Sequence, residues 1–185
     1  LSVAYAIVPY ALGLLAAGGR IDRIDVLLCG ALYTLFLARI NLKDFRDRAG
    51  DAAYAKPTLL LAHGKTVTCA VTGMALVAGC AMLASALGGG PGIIAIVSLF
   101  AAGILSMLWR LWRTSDPRRE QIAIGLGAKM GNGLLACALA WLVLEAQGAP
   151  EGMRALALAF LALVYGSVVA SLTARPDDIE IAYKG

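Results

Sequence analysis

Lys43-Asp44-Phe45-Arg46-Asp47-Arg48-Ala49-Gly50-Asp51 sets three carboxylates among three basic side chains, between long apolar segments. Ionisable groups so close to hydrocarbon are costly unless something binds them. On a helix, at about 100° per residue, Asp44, Asp47 and Asp51 fall within roughly a 60° arc, so all three carboxylates can converge on one ligand. A hard divalent cation is the natural ligand for such oxygens. Mg2+ in particular keeps several waters and is usually completed by substrate phosphates. A metal held by Asp47 and Asp51, one turn apart, leaves Arg46, Arg48 and Lys56 to contact phosphate oxygens through charge-assisted hydrogen bonds. Helical salt bridges are an equal reading of the spacing alone, because Lys43 with Asp47 and Asp44 with Arg48 are i,i+4 pairs, each worth about 0.2 to 0.5 kcal/mol.

Outward from this stretch the chain is oily. Of its 185 residues 60% are hydrophobic and 15% charged, and the mean hydropathy is +0.78, which marks an integral membrane protein. Apolar runs of the length needed to cross about 30 Å of hydrocarbon lie at Ser2 to Ala17, Val26 to Leu42, Val67 to Leu87, Ile93 to Trp112, Ile122 to Leu144 and Ala155 to Thr173. The expectation is an all-α, polytopic transmembrane bundle of about six helices, the first of them short and carrying Pro9. Gly18-Gly19, Gly88 to Gly92, Asp116-Pro117 and Gly148-Ala149-Pro150 mark tight turns, so neighbouring helices pack antiparallel and residues 1–185 read as a single membrane domain. The small-xxx-small spacing of Gly127 and Gly131 reads as close helix packing. A phosphate-binding glycine loop would follow a strand, and no strand is expected here.

Taking the six crossings as stated, twelve basic residues, from Arg39 to Lys184, fall on one side, and Arg20, Arg23 and Arg154 fall on the other. That bias makes the side with the Asp-rich loop cytoplasmic. The net charge of +4 needs no nucleic acid, since basic residues facing anionic membrane lipid explain it. Lys129 and Asn132 sit inside the fifth run. An intramembrane cation is a cavity candidate by default, with snorkelling to the interface as the competing reading. Glu145 is expected at the opposite interface, and His63, the one histidine, at the surface or behind the site. Cys29, Cys69, Cys80 and Cys137 have no CxxC spacing and read as packing residues. Trp109 and Trp112 read as interface anchors, and Tyr33 or Tyr54 as aromatic groups able to stabilise a cation.

Asn41 to Lys65, NLKDFRDRAGDAAYAKPTLLLAHGK, resembles the second aspartate-rich motif of the UbiA superfamily of intramembrane prenyltransferases, a DxxxD core followed by a Gly-Lys-Arg-Thr-Leu stretch. The resemblance implies a helical membrane bundle with a central cavity, in which Mg2+ bridges two Asp-rich motifs and the diphosphate of a polyprenyl donor. It implies metal ligation by Asp47 and Asp51, with Asp44 at an upstream polar position. It also matches Arg46 to the Arg often found just before DxxxD, makes Lys56 a candidate diphosphate contact, and implies transfer of the prenyl group to an aromatic or other lipophilic acceptor. Ala55 and Pro57 depart from the pattern, standing where relatives carry Gly and Arg.

The superfamily's first motif, NDxxDxxxD, does not occur between Leu1 and Gly185. A chain that opens on Leu1 inside an apolar run is therefore expected to be the carboxyl-terminal part of a longer protein, with Ala155 to Thr173 an added helix. The competing expectations are an inactive half-protein or a non-catalytic membrane scaffold whose aspartates only pair with Lys and Arg. The CDP-alcohol phosphotransferases also use spaced aspartates in a membrane bundle, but their DxxDGxxAR core is missing.

Overall fold

Short acids, prolines and glycines place the helix ends. The computed structural model describes residues 3–175; Ser2 of the first expected crossing and the chain beyond Arg175, with Lys184, lie outside them. Among the described residues a π-helical turn, Val3–Ile7, precedes six α-helices: α1 (Val8–Ala16), α2 (Arg23–Ala53), α3 (Leu59–Ala86), α4 (Pro91–Arg113), α5 (Pro117–Ala146) and α6 (Glu151–Ala174). Helices α2 to α6 are each long and apolar enough to cross a membrane, as expected of a multi-pass membrane protein. The first expected crossing differs. Pro9 lies in the first turn of α1, whose nine residues rise only about 14 Å.

Asp22 and Asp25 start α2 with a reciprocal capping box: Asp22 Oδ1 accepts from the Ile24 and Asp25 amides, and Asp25 Oδ2 accepts from the Asp22 amide. Thr58 caps α3 through the Leu61 amide at 3.2 Å, and Asp116 caps α5, with Pro117 at its first position. The expected loop from Lys43 to Lys65 is largely helix, because α2 runs on to Ala53. Nothing in Lys43 to Ala53 is β-branched or proline, and Lys, Arg and Ala lose little freedom in a helix. Only Tyr54 to Thr58 connects α2 to α3. Within α3, Gly64 has φ +77° and kinks the helix after its first turn.

Four helices stop in the same way. After α1, α3 and α5 the chain turns through Gly18, Gly88 and Gly148 at positive φ, with paired backbone bonds such as Gly88 to the Ser85 carbonyl and Gly89 to the Ala84 carbonyl. This is the Schellman ending, whose left-handed residue is usually glycine. At the end of α2 the Ala55 amide donates to the Ala52 carbonyl at 3.2 Å and the Lys56 amide to the Asp51 carbonyl at 2.9 Å. There the left-handed residue is Ala55, at φ +50°.

Sequential helices pack against one another, most extensively α2 with α3 and α4 with α5, and α2 also meets α5. Small residues permit the closest approaches. A Cβ on Gly79 would lie 2.7 Å from Thr34 Oγ1, and one on Gly133 would lie 2.5 Å from a Phe100 ring carbon and 2.9 Å from Tyr165. The main core joins Leu28, Leu83, Ile93, Phe100, Leu134 and Trp141. A second core, with Leu42, Phe45, Leu60, Leu111 and Ile124, lies beneath the acidic end of α2.

Candidate functional site

The last three turns of α2 split their charges by face. Asp44 and Asp51 turn inward, each 8% exposed, as does Asn41 at 4%; Asp44 and Asp51 are seven residues apart and so nearly aligned along the helix. Asp47 sits about 60° round the helix from Asp44 and is claimed by its neighbours. Arg46 Nε donates to its Oδ1 at 2.8 Å, a second Arg46 nitrogen to its Oδ2 at 3.4 Å, and Lys43 Nζ lies 3.7 Å away. The expected convergence of Asp44, Asp47 and Asp51 on one point is thus not what the side chains adopt. Among the described residues no three His, Cys, Asp or Glu side chains group closely enough to hold a metal ion. No ion pair joins Asp44 to Arg48 among them either, and Arg48 is exposed.

The ending of α2 explains the position of Lys56. In a Schellman turn the residue after the left-handed one folds back over the residue five before it. Lys56 therefore returns over Asp51, and its Nζ donates to Oδ1 at 3.0 Å. That carboxylate raises the Lys56 pKa above its ordinary value, so the ammonium stays charged throughout the neutral range. The other oxygen, Asp51 Oδ2, is buried without a hydrogen-bond partner among the described residues, as is Asn41 Nδ2. An unpartnered buried polar atom costs about 1 to 3 kcal/mol, and a charged one more.

Part of this set borders a cavity of about 590 Å³ between α2, α3, α4 and α5. Lys43, Asp44, Arg46 and Lys56 line its polar end, and Leu76, Ile104, Leu134 and Leu135 its apolar depth. Asp47 and Asp51 reach it through Arg46 and Lys56, the side chains they hold. Gly127 and Gly131 both border the cavity, but they differ: Gly127 packs helix on helix as expected, a Cβ there lying 3.8 Å from Leu42 and from Met107, whereas a Cβ at Gly131 would meet nothing within 4 Å. Lys129 is half-buried and does not line the cavity, although Ala128 beside it does. Asn132 acts one step back, accepting from Arg39 at 3.1 Å, and Arg39 lines the wall.

Sequence reasoning missed Arg39 and Phe36 as site residues. The available signal was spacing: Phe36, Arg39 or Ile40, Lys43 and Arg46 recur every three or four residues, the stripe of one helix face. Tyr33 and Tyr54 are exposed, at 37% and 88%, and do not line the cavity; among the described residues Phe36 is the aromatic side chain that does. His63 is exposed, and Glu145 pairs with Arg154 at 3.1 Å. The four cysteines are free, and three are buried. Lys65 binds Glu120 and the Thr114 carbonyl, tying kinked α3 to the α4–α5 turn.

The donor set suits Mg2+. Its chemistry is carboxylate oxygen, one buried oxygen has no partner, and Asp44 accepts no hydrogen bond among the described residues. Mg2+ is commonly held by one or two carboxylates, with phosphate and water completing its octahedron, so a three-carboxylate cage is not required.

A protein-family comparison matches residues 1–133 to the UbiA prenyltransferase family. The chain belongs to that family. The match takes in the acidic end of α2, the Lys56 turn and the first half of α5, far beyond the 25 residues from Asn41 to Lys65 that carry the motif. It stops before α6. Searches of curated proteins and of solved structures found no match.

Membership in the UbiA family implies prenyltransferase-type activity on a prenyl diphosphate and an acceptor, in a family that is generally Mg2+-dependent.

Proposed function

We propose that this protein transfers a prenyl group from a polyprenyl diphosphate to an aromatic or other lipophilic acceptor within the membrane, with Mg2+ as cofactor. The cavity carries this reading: it has cations and a carboxylate at one end and hydrocarbon walls at the other, matching the two ends of an isoprenoid diphosphate. The charge bias along the chain supports a cytoplasmic position for the polar end.

Asp51 and Asp44 would hold Mg2+, joined by Asp47 once it is released from Arg46, with Asp51 Oδ2 offering an oxygen that has no hydrogen-bond partner among the described residues. A bound Mg2+ supplies neutralisation of the charge that develops on the diphosphate leaving group as the allylic C–O bond ionises. Arg46 and Lys56 are placed to donate to non-bridging oxygens once their carboxylate partners are shared. Lys43 adds a third cation at the same end, and Arg48, exposed on the helix, would meet the diphosphate only by swinging inward. The apolar walls contributed by Leu76, Ile104 and Leu134 hold the tail and exclude water, which would otherwise quench an allylic cation. Phe36 lines the same cavity, where an aromatic ring would stabilise such a cation. Asn132 acts from behind the wall by orienting Arg39, and Lys129, half-buried next to Ala128, would reach substrate only by turning inward.

The test is Mg2+-dependent conversion of a labelled polyprenyl diphosphate into an organic-extractable product, in membranes carrying the protein in its natural reading frame. Product formed only with divalent metal supports the proposal. No product across donor lengths and acceptor classes sinks it and favours a scaffold, a reading to which the Asp47 and Asp51 ion pairs also lend themselves.

A further inference from the structure

A second concavity, of about 520 Å³, lies at the α4–α5 turn and shares no lining residue with the central cavity. Trp109, Arg110, Arg113, Ser115, Asp116 and Arg119 line it, above a floor that includes Met107 and Ile122. Three guanidinium groups face one carboxylate, so its charge is positive. Little of that charge is spent locally. Asp116 caps α5 through the Arg118 amide at 3.0 Å and meets Arg119 at 3.5 Å, an exposed pair of small worth. Arg113 lies 4.5 Å above the Trp109 ring, an arrangement that orients a guanidinium while leaving its N–H groups available. Arg110 has no ion pair among the described residues.

The setting identifies the ligand. Trp109 and Trp112 are 53% and 46% exposed at this end of α4, on a helix otherwise apolar enough to span a membrane. Exposed indoles at a helix end mark the headgroup level of a bilayer, and Trp112 is steadied there by its 3.3 Å bond to Thr66 Oγ1. A basic concavity at headgroup depth, floored by Met107 and Ile122, presents fork-shaped donors to a phosphate and apolar surface to the chains beneath it.

We propose that the α4–α5 concavity is a binding site for the phosphate headgroup of an anionic phospholipid. Arg110 and Arg119 are its principal phosphate donors, and Arg113 is held in reserve by Trp109.

The experiment uses the whole chain in mild detergent, titrated with phosphatidylglycerol or phosphatidylcholine while lipid adducts are counted by native mass spectrometry. Wild type is expected to prefer phosphatidylglycerol by tenfold or more. Arg110→Gln/Arg119→Gln should weaken that lipid by about 25-fold, near fivefold for each cation beside anionic lipid, and Arg110→Lys/Arg119→Lys should lose less. Arg20→Gln/Arg23→Gln, with equal loss of charge at the far end, should stay within twofold. Equal affinity for the two lipids, or an unchanged Gln variant, overturns the proposal. So does displacement of phosphatidylglycerol by inorganic diphosphate at equal concentration, which would make the site one for free phosphate. Circular dichroism on every variant separates lost binding from lost fold.

Discussion

Ala55 stands at the left-handed position of the turn that folds Lys56 back onto Asp51, with φ +50°. A residue with a Cβ pays roughly 1 to 2 kcal/mol there, whereas glycine adopts the conformation freely but loses about 0.5 to 1 kcal/mol more chain entropy on folding. Ala55→Gly should therefore stabilise the protein by a net of about 0.5 to 1 kcal/mol, up to about fivefold in the unfolding equilibrium. Ala55→Val should destabilise it by more than that, since a β-branched residue at positive φ is a true outlier. Gly88→Ala supplies the internal control, because Gly88 occupies the same position after α3 at φ +85° and should cost about what Ala55→Gly gains. Reversible unfolding in mixed dodecyl sulfate micelles measures the global change. Hydrogen exchange at the Lys56 amide, bonded to the Asp51 carbonyl at 2.9 Å, measures the local one. A destabilised glycine variant, or a valine variant equal to wild type, would refute the turn and the explanation of the Lys56–Asp51 pair.

Gly131 faces open space in the cavity, so Gly131→Ala should keep full activity while Gly131→Leu should shorten the longest prenyl donor accepted, read from a donor-length series. Glu120→Gln leaves the half-buried Lys65 without its counter-charge and should cost about 2 kcal/mol in micellar unfolding, less than the 3 to 5 of a fully buried pair. Lys65→Met/Glu120→Leu should recover part of that loss, and a double variant as unstable as the sum of its singles would contradict the pairing. Asn132→Leu frees Arg39, on the cavity wall, from its 3.1 Å bond and should raise a substrate KM with little change in kcat; a kcat loss with unchanged KM would contradict a positioning role for Asn132.

Most of the bundle was legible because hydropathy is a bulk property. The expected crossings from Val26 onward each fall inside one observed helix or, for Leu87, end one residue past it. What hydropathy hid was the helix beyond the oil: Lys43 to Ala53 is polar yet still α2, since helix propensity does not depend on burial. Aligned backbone positions showed that the three aspartates share a side of α2, but not that adjacent Arg46 would take Asp47 away from the other two. Lys56 was read as a diphosphate contact and Ala55 only as a departure from the motif, and only the backbone turn shows why a left-handed residue precedes that lysine. The spacing of Phe36, Arg39, Lys43 and Arg46 could have put Arg39 on the face of the site, but its partner Asn132, 93 residues away, was not legible. The glycines at 127 and 131 have the spacing of a packing motif; Gly127 packs against Leu42 and Met107, but spacing could not tell that Gly131 borders open cavity instead.

The most direct measurement is diphosphate release from a polyprenyl diphosphate by the protein in its natural reading frame, with and without Mg2+, comparing wild type with Asp47→Ala and Asp51→Ala at equal folded yield. The account predicts Mg2+-dependent release by wild type and loss of at least about a hundredfold in both variants, as expected when charge stabilisation of a leaving group is removed. Release by wild type that both variants match would contradict the assignment of the metal to the end of α2.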